Sequence, residues 1–86
     1  MAMAHLHPVA GAKIQLMKWI KTSGSSEAML CADELLDART LRELAERARG
    51  IALRMQEVDG RPMADCFWEA AKNILVRWRD LGTAHS

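Results

Sequence analysis

A chain of 86 residues, 50% of them apolar, is enough for one small domain that buries roughly 60 to 65% of its unfolded surface. Twelve Lys/Arg against eleven Asp/Glu remove the broad positive field on which non-specific nucleic-acid binders rely. Two cysteines without CxxC spacing exclude a disulfide scaffold and predict reduced, packed thiols.

Residues 1–7 are expected to form a loose arm. It ends at Pro8, whose fixed φ and missing donor suit a first helical position, so the domain is expected to span residues 9–82. Lys13 and Lys18 interrupt the N-terminal apolar run, so neither a signal peptide nor a membrane span is expected and the protein is placed in the cytoplasm. Val9, Ala12, Leu16, Trp19 and Ile20 follow the 3.6-residue period and predict a first helix to about residue 21. Ala10, Ile14 and Met17 make a flanking stripe.

Thr22 to Ser26 is the one clear linker, and its serines offer an N-cap to the next helix. The second helix, about residues 27–36, is short and marginal alone. Its expected packing residues are Met29, Ala32, Leu35 and Leu36. Residues 27–37 carry Glu27, Asp33, Glu34 and Asp37 with no base, whereas residues 1–26 carry Lys13, Lys18 and Lys21 with no acid; the two segments should attract each other.

Thr40-Leu41-Arg42-Glu43 is a capping box. The Thr40 hydroxyl can accept from the Glu43 amide, and the Glu43 carboxylate can return to the Thr40 amide. From there Leu41, Leu44, Ala45, Ala48, Ile51, Ala52, Met55 and Val58 fall on an arc of roughly 140°. Gly50 lies on the opposite, polar side, as a tolerated defect, a kink or a place where something approaches. Asp59-Gly60-Arg61-Pro62 then hinges this third helix to a fourth, because Gly60 can end one helix and Pro62 open the next. So short a connection predicts an antiparallel hairpin.

The fourth helix, about residues 63–81, places Met63, Phe67, Ala70, Ala71, Ile74, Trp78 and Leu81 on one side. Ala64, Leu75 and Trp68 widen that arc to roughly 160°. Gly82 is expected to close it and residues 83–86 to fray. No repeat, low-complexity tract or strand pattern is present, and the fold class is all-α: a small bundle of four helices, one short, with an antiparallel C-terminal hairpin.

Chemistry-bearing constellations are absent from the sequence pattern. Every histidine lies within a few residues of a terminus, so the nucleophile, base and orienting group of a hydrolase or transferase cannot be assembled from it. His5 and His7 make two ligands, short of a tetrahedral set. Asp65 and Glu69 form an i, i+4 carboxylate pair whose setting near Lys72 predicts solvated surface charges rather than acid/base chemistry. No glycine-rich phosphate loop occurs. No enzyme activity, metal, cofactor or small-molecule ligand is therefore expected.

The remaining candidate is a surface. Phe67 and Trp68 are adjacent, and two large neighbouring aromatics on one helix cannot share a narrow seam. Trp68, Leu75 and Arg79, next to Lys72, are the candidate interaction patch, because Trp and Arg are enriched among binding anchors. The structural alternative is that Trp68 simply covers the first or second helix. The expected function is a non-catalytic protein-interaction module, a small homodimeric adaptor, inhibitor or accessory regulator, with a second copy or another protein as partner.

One alternative comes from the third helix. Leu41-Arg42-Glu43-Leu44-Ala45-Glu46-Arg47-Ala48 resembles the positioning helix of repressor-type helix-turn-helix domains. The resemblance implies a turn and a polar recognition helix next; Arg42, Arg49 and Arg54, which with Arg47 are interleaved with Glu43, Glu46 and Glu57, are the candidate nucleic-acid contacts of this alternative, a DNA-binding regulator with a degenerate motif. Instead, Arg49-Gly50-Ile51-Ala52-Leu53 continues the apolar period.

Overall fold

The computed structural model describes residues 7–84. These form four helices and no strand: α1 (Pro8–Ser23), α2 (Ser26–Leu36), α3 (Leu41–Val58) and α4 (Arg61–Ala84). The expectation for residues 1–6 and 85–86, including any pairing of His5 with His7, lies outside the described residues.

Each helix start has a visible cause. His7 is extended and its Nδ1 accepts from the Val9 amide at 3.2 Å, so α1 takes in Pro8 rather than starting after it. Gly24, at φ 81°, terminates α1 in the left-handed region. Ser25 then caps α2, accepting from the Ala28 amide at 3.0 Å while its hydroxyl donates to Asp59 Oδ2 at 2.6 Å. That second bond ties the start of α2 to the end of α3. Thr40 caps α3 through the Glu43 amide at 3.0 Å, but the Glu43 carboxylate returns to the amide of Arg39 at 3.2 Å, one residue earlier than the capping-box pattern predicts. Gly60, at φ 96°, ends α3 and donates to the Met55 carbonyl at 3.1 Å.

Successive helices alternate in direction and close into a bundle measuring 40 × 19 × 17 Å. α1 neighbours α2 and α4, α3 neighbours α2 and α4, and α2 and α4 occupy the diagonal out of contact with each other. Leu16, Ile20, Leu35, Leu44, Ile51, Met55 and Phe67 fill the centre, all fully buried. Trp19 of α1 meets Phe67 of α4 with ring centroids 5.3 Å apart and tilted by 55°, an edge-to-face-like geometry that aromatic quadrupoles favour.

The stripes of α1 and α3 match their sequence expectation except at their margins, where Ile14 and Val58 are exposed. α2 does not match. Its buried residues are Ala28, Cys31, Ala32 and Leu35, whereas Met29 and Leu36 face solvent. Both sets satisfy the helical period, and tertiary contacts on the flanks select between them. Glu34 is engaged by Arg47 and Arg54 of α3, and the Leu36 carbonyl accepts from Lys13 Nζ of α1 at 2.7 Å. The small side chains then point inward and let α2 approach closely. The charge attraction foreseen between the first two helices is replaced: among the described residues the α1 lysines make no ion pair with α2, and Glu34 pairs with Arg54.

Gly82 does not end the last helix, and Thr83 is no frayed tail, since α4 continues to Ala84. A Cβ at Gly82 would lie 2.9 Å from Pro8 Cγ, so the glycine lets the first turn of α1 rest against the last turns of α4. Gly50 has the opposite character. α3 runs through it unbroken, and a Cβ there would meet nothing within 4 Å. Gly50→Ala is therefore expected to raise stability by about 0.5 to 1 kcal/mol through helix propensity and the unfolded-chain entropy. In a domain of this size that is an upward shift in Tm of roughly 4 to 8 °C per kcal/mol. A thermal melt showing no gain would mean that the outer face of α3 is occupied.

Candidate interaction face

The side of the bundle between α3 and α4 carries most of the residues singled out in the sequence. On α4, Trp68, Lys72, Leu75 and Arg79 recur at intervals of three or four and so share one flank. On α3, Arg42, Ala45 and Arg49 do the same, and the antiparallel register sets Arg49 beside Trp68. The Arg49 guanidinium lies 5.3 Å from the Trp68 ring centroid and the Lys72 ammonium 5.9 Å from it, both within cation–π range. Trp68 is half-buried and packs against the core, with Arg49 of α3 over its ring.

Toward the other end of this face, Leu41, Arg42, Ala45, Leu75, Val76 and Arg79 line an open apolar depression. Leu75 forms its floor. It is only 9% exposed and belongs to the core, so it supports the surface rather than projecting from it as an anchor. Ala45, a small side chain on α3, is one of the residues lining the depression.

The charges on this face are of two kinds. Lys72 pairs with Glu69 at 2.7 Å and Arg79 with Asp80 at 3.2 Å, both exposed pairs of little energetic weight. Arg42 has no ion partner among the described residues, and Arg49 has only the Trp68 ring. The face is therefore mixed in charge: the exposed Arg42 and Arg49 stand beside Glu46 of α3 and Asp65 of α4, which likewise have no ion partner among the described residues. The Asp65 and Glu69 carboxylates are both exposed, Glu69 in its pair with Lys72.

Arg54 is not part of this surface. It sits on the far side of α3, bonded to the Glu34 carboxylate and donating to Cys31 Sγ at 3.1 Å. The hydrogen bond to Glu34 first, and that to Cys31 second, hold its guanidinium charge above the ordinary arginine range. Arg42, Arg49 and Arg54 thus do not converge on one ligand. The turn that a helix-turn-helix motif requires falls inside continuous α3. Of the two thiols, Cys31 is packed as expected and Cys66 is exposed, because position 66 lies on the outward side of α4.

Arg42 and Arg49 lie on a different side of α3 from Arg54. Their spacing of seven residues puts them on the same side as Ala45, a signal that becomes legible only once the hairpin register brings α4 alongside. Leu30 of α2 carries no role in the sequence pattern. Leu30 is 79% exposed, Met29 51% and Leu36 49%, so α2 presents large apolar side chains to solvent around Asp33, an acid without an ion partner among the described residues.

Among the described residues no three His, Cys, Asp or Glu side chains gather into a metal-binding group, and no helix is long and apolar enough to cross a membrane. Comparison of the chain with protein-family models, curated proteins and solved structures finds no match in any of the three.

Proposed function

We propose that this protein is a non-catalytic protein-interaction module whose contact surface is the α3–α4 face. The observation that carries the reading is a single face with Trp68 beneath the cations of Arg49 and Lys72 at one end and an open apolar depression edged by Arg42 at the other. Aromatic and arginine side chains beside a small apolar cleft are the usual composition of a binding centre. A depression between two antiparallel helices accepts the apolar side chains of a third helix, and Arg42 at its edge and Arg49 beyond it favour acidic residues opposite them. The partner class is accordingly an acidic amphipathic helical segment of a protein.

The test is titration of the full chain with a synthetic acidic amphipathic helix, followed by calorimetry, with a basic helix and duplex DNA as parallel probes. The acidic peptide is expected to bind with a dissociation constant on the order of 10 to 100 µM. Arg49→Glu is expected to weaken it by about tenfold or more, while loss of its stacking on Trp68 costs the fold no more than about 1 kcal/mol. No binding of the acidic peptide at low salt overturns the proposal. Salt-dependent retention on duplex DNA in its place would transfer the face to the nucleic-acid reading.

A further inference from the structure

α1 and α2 divide their charges completely. α1 carries Lys13, Lys18 and Lys21 with no acid, and α2 with its C-cap carries Glu27, Asp33, Glu34 and Asp37 with no base. Glu34 is taken by Arg54 of α3, and Glu27, seven residues before it, lies on the same side of α2. Asp33 and Asp37 instead share the outward side with Met29, Leu30 and Leu36, all exposed. The outward side of α1 is made by Ile14, Lys18 and Lys21, exposed as well, with Met17 half-buried beside them. Because α1 and α2 are neighbours, these two sides form one surface, across the bundle from the α3–α4 face. Its side chains are apolar, with cations along one helix and acids along the other. Among the described residues, neither these lysines nor Asp33 and Asp37 have an ion partner within the molecule.

We infer that the α1–α2 surface is covered by the same surface of a second copy, in a two-fold dimer whose axis runs parallel to the helices. The surface carries both halves of its own complement. An axis along the helices lays α1 of one copy over α2 of the other, twice, so lysines meet aspartates at both contacts. An axis across the helices stacks α1 on α1 and α2 on α2, and each contact then costs like-charge repulsion. Register agrees with the first arrangement. Lys13 donates to the Leu36 carbonyl at 2.7 Å, which fixes the heights of the two helices, and an axis parallel to them leaves every height unchanged in the partner. At about 1.5 Å per residue, Asp33 then lies between the heights of Lys13 and Lys18, within about 5 Å of each along the axis, and Asp37 is nearly level with Lys13. The 16 residues of α1 span about 24 Å, and two helices side by side are about 20 Å wide, so the surface covers on the order of 500 Å² per copy. The total of about 1,000 Å² sits at the lower end of specific interfaces, so the dimer exchanges with monomer at micromolar concentrations.

Sedimentation velocity on the full chain, from about 1 µM to about 1 mM, reads this directly. Monomer is expected to give way to a plateau at the dimer, with the midpoint moved to higher concentration by salt. Two charge reversals test the arrangement: D33K with D37K makes the outward side of α2 basic, and K18E with K21E makes that of α1 acidic. All four positions are exposed, and circular dichroism checks that each variant folds. Each variant alone sets like charges at both contacts and is expected to raise the dissociation constant at least about tenfold. Mixed in equal amounts, the two regain opposite charges at both contacts and form a heterodimer about as tight as the wild-type dimer. L30K reads the same surface without reversing a charge pair, and is expected to weaken the dimer as well, since Leu30 is 79% exposed on it. R49E, on the α3–α4 face, is expected to leave dimerisation unchanged, so the two surfaces stand or fall separately. A wild-type chain still monomeric at the highest concentration, growth past the dimer, a reversal variant that dimerises alone as the wild type does, or a mixture that stays monomeric would overturn the inference.

Discussion

Phe67→Ala is expected to lower the unfolding free energy by about 3 to 5 kcal/mol, the largest effect of any single truncation in this bundle. Phe67 is fully buried and the largest of the side chains wholly removed from solvent. Its ring meets Trp19 across the α1–α4 contact, so deletion removes the transfer energy of the ring, the aromatic pairing and the packing of neighbours that cannot collapse into the space. Small domains have total stabilities of about 5 to 15 kcal/mol, so the variant should be largely unfolded at moderate urea. Phe67→Leu, which retains most of the volume, should lose less than half as much. Urea denaturation of both variants gives the comparison, and an alanine loss below about 1 kcal/mol would mean that α1 does not pack on α4 at this point.

Gly11→Ala is expected to destabilise the domain by about 1 to 3 kcal/mol, although alanine is the better helix former by about 1 kcal/mol. A Cβ at position 11 would stand 2.3 to 2.5 Å from three carbons of the Trp78 ring. The ring cannot move aside cheaply, because Trp78 is 4% exposed and sits within the core. Its indole Nε1 is buried without an acceptor among the described residues, so tilting the ring regains no hydrogen bond until it reaches water. The contrast with Gly50→Ala makes the test sharp, since the same chemical change in two helices is expected to have opposite signs. Thermal melts of the two variants side by side check it, and a stabilised Gly11→Ala would show that Trp78 does not lie on α1.

The architecture was legible where a sequence signal had one physical meaning. Thr40 as a cap, Gly60 in the left-handed region and the alanine-rich arc of α3 each admit a single helical reading, and all three are present. α2 was legible as a helix but not in its rotation. Apolar residues occur around most of its circumference, and the choice was made by Arg47, Arg54 and Lys13 reaching from other helices. Gly11 and Gly82 were opaque for a related reason. A glycine needed for close approach looks like any other helical glycine until the partner, Trp78 or Pro8, is set against it. In the candidate face, Trp68 and Lys72 lie where the helical period put them, but the sequence could not say that Leu75 is covered or that Arg49 stacks on Trp68. Both depend on the register of one helix against the next.

The contact between Pro8 and Gly82 bears on how the chain can be threaded. The first turn of the first helix and the last turns of the fourth are in touch, so a short glycine-serine bridge across them would close the four helices into a continuous loop without displacing any. The loop could then be cut between Arg39 and Thr40, two exposed residues in the connection joining α2 to α3, yielding a circular permutant that starts with the hairpin and finishes on α2. The Ser25–Asp59 bond would survive in that rearranged order, since the fold is held by which helices lie side by side and not by where the polypeptide happens to be opened.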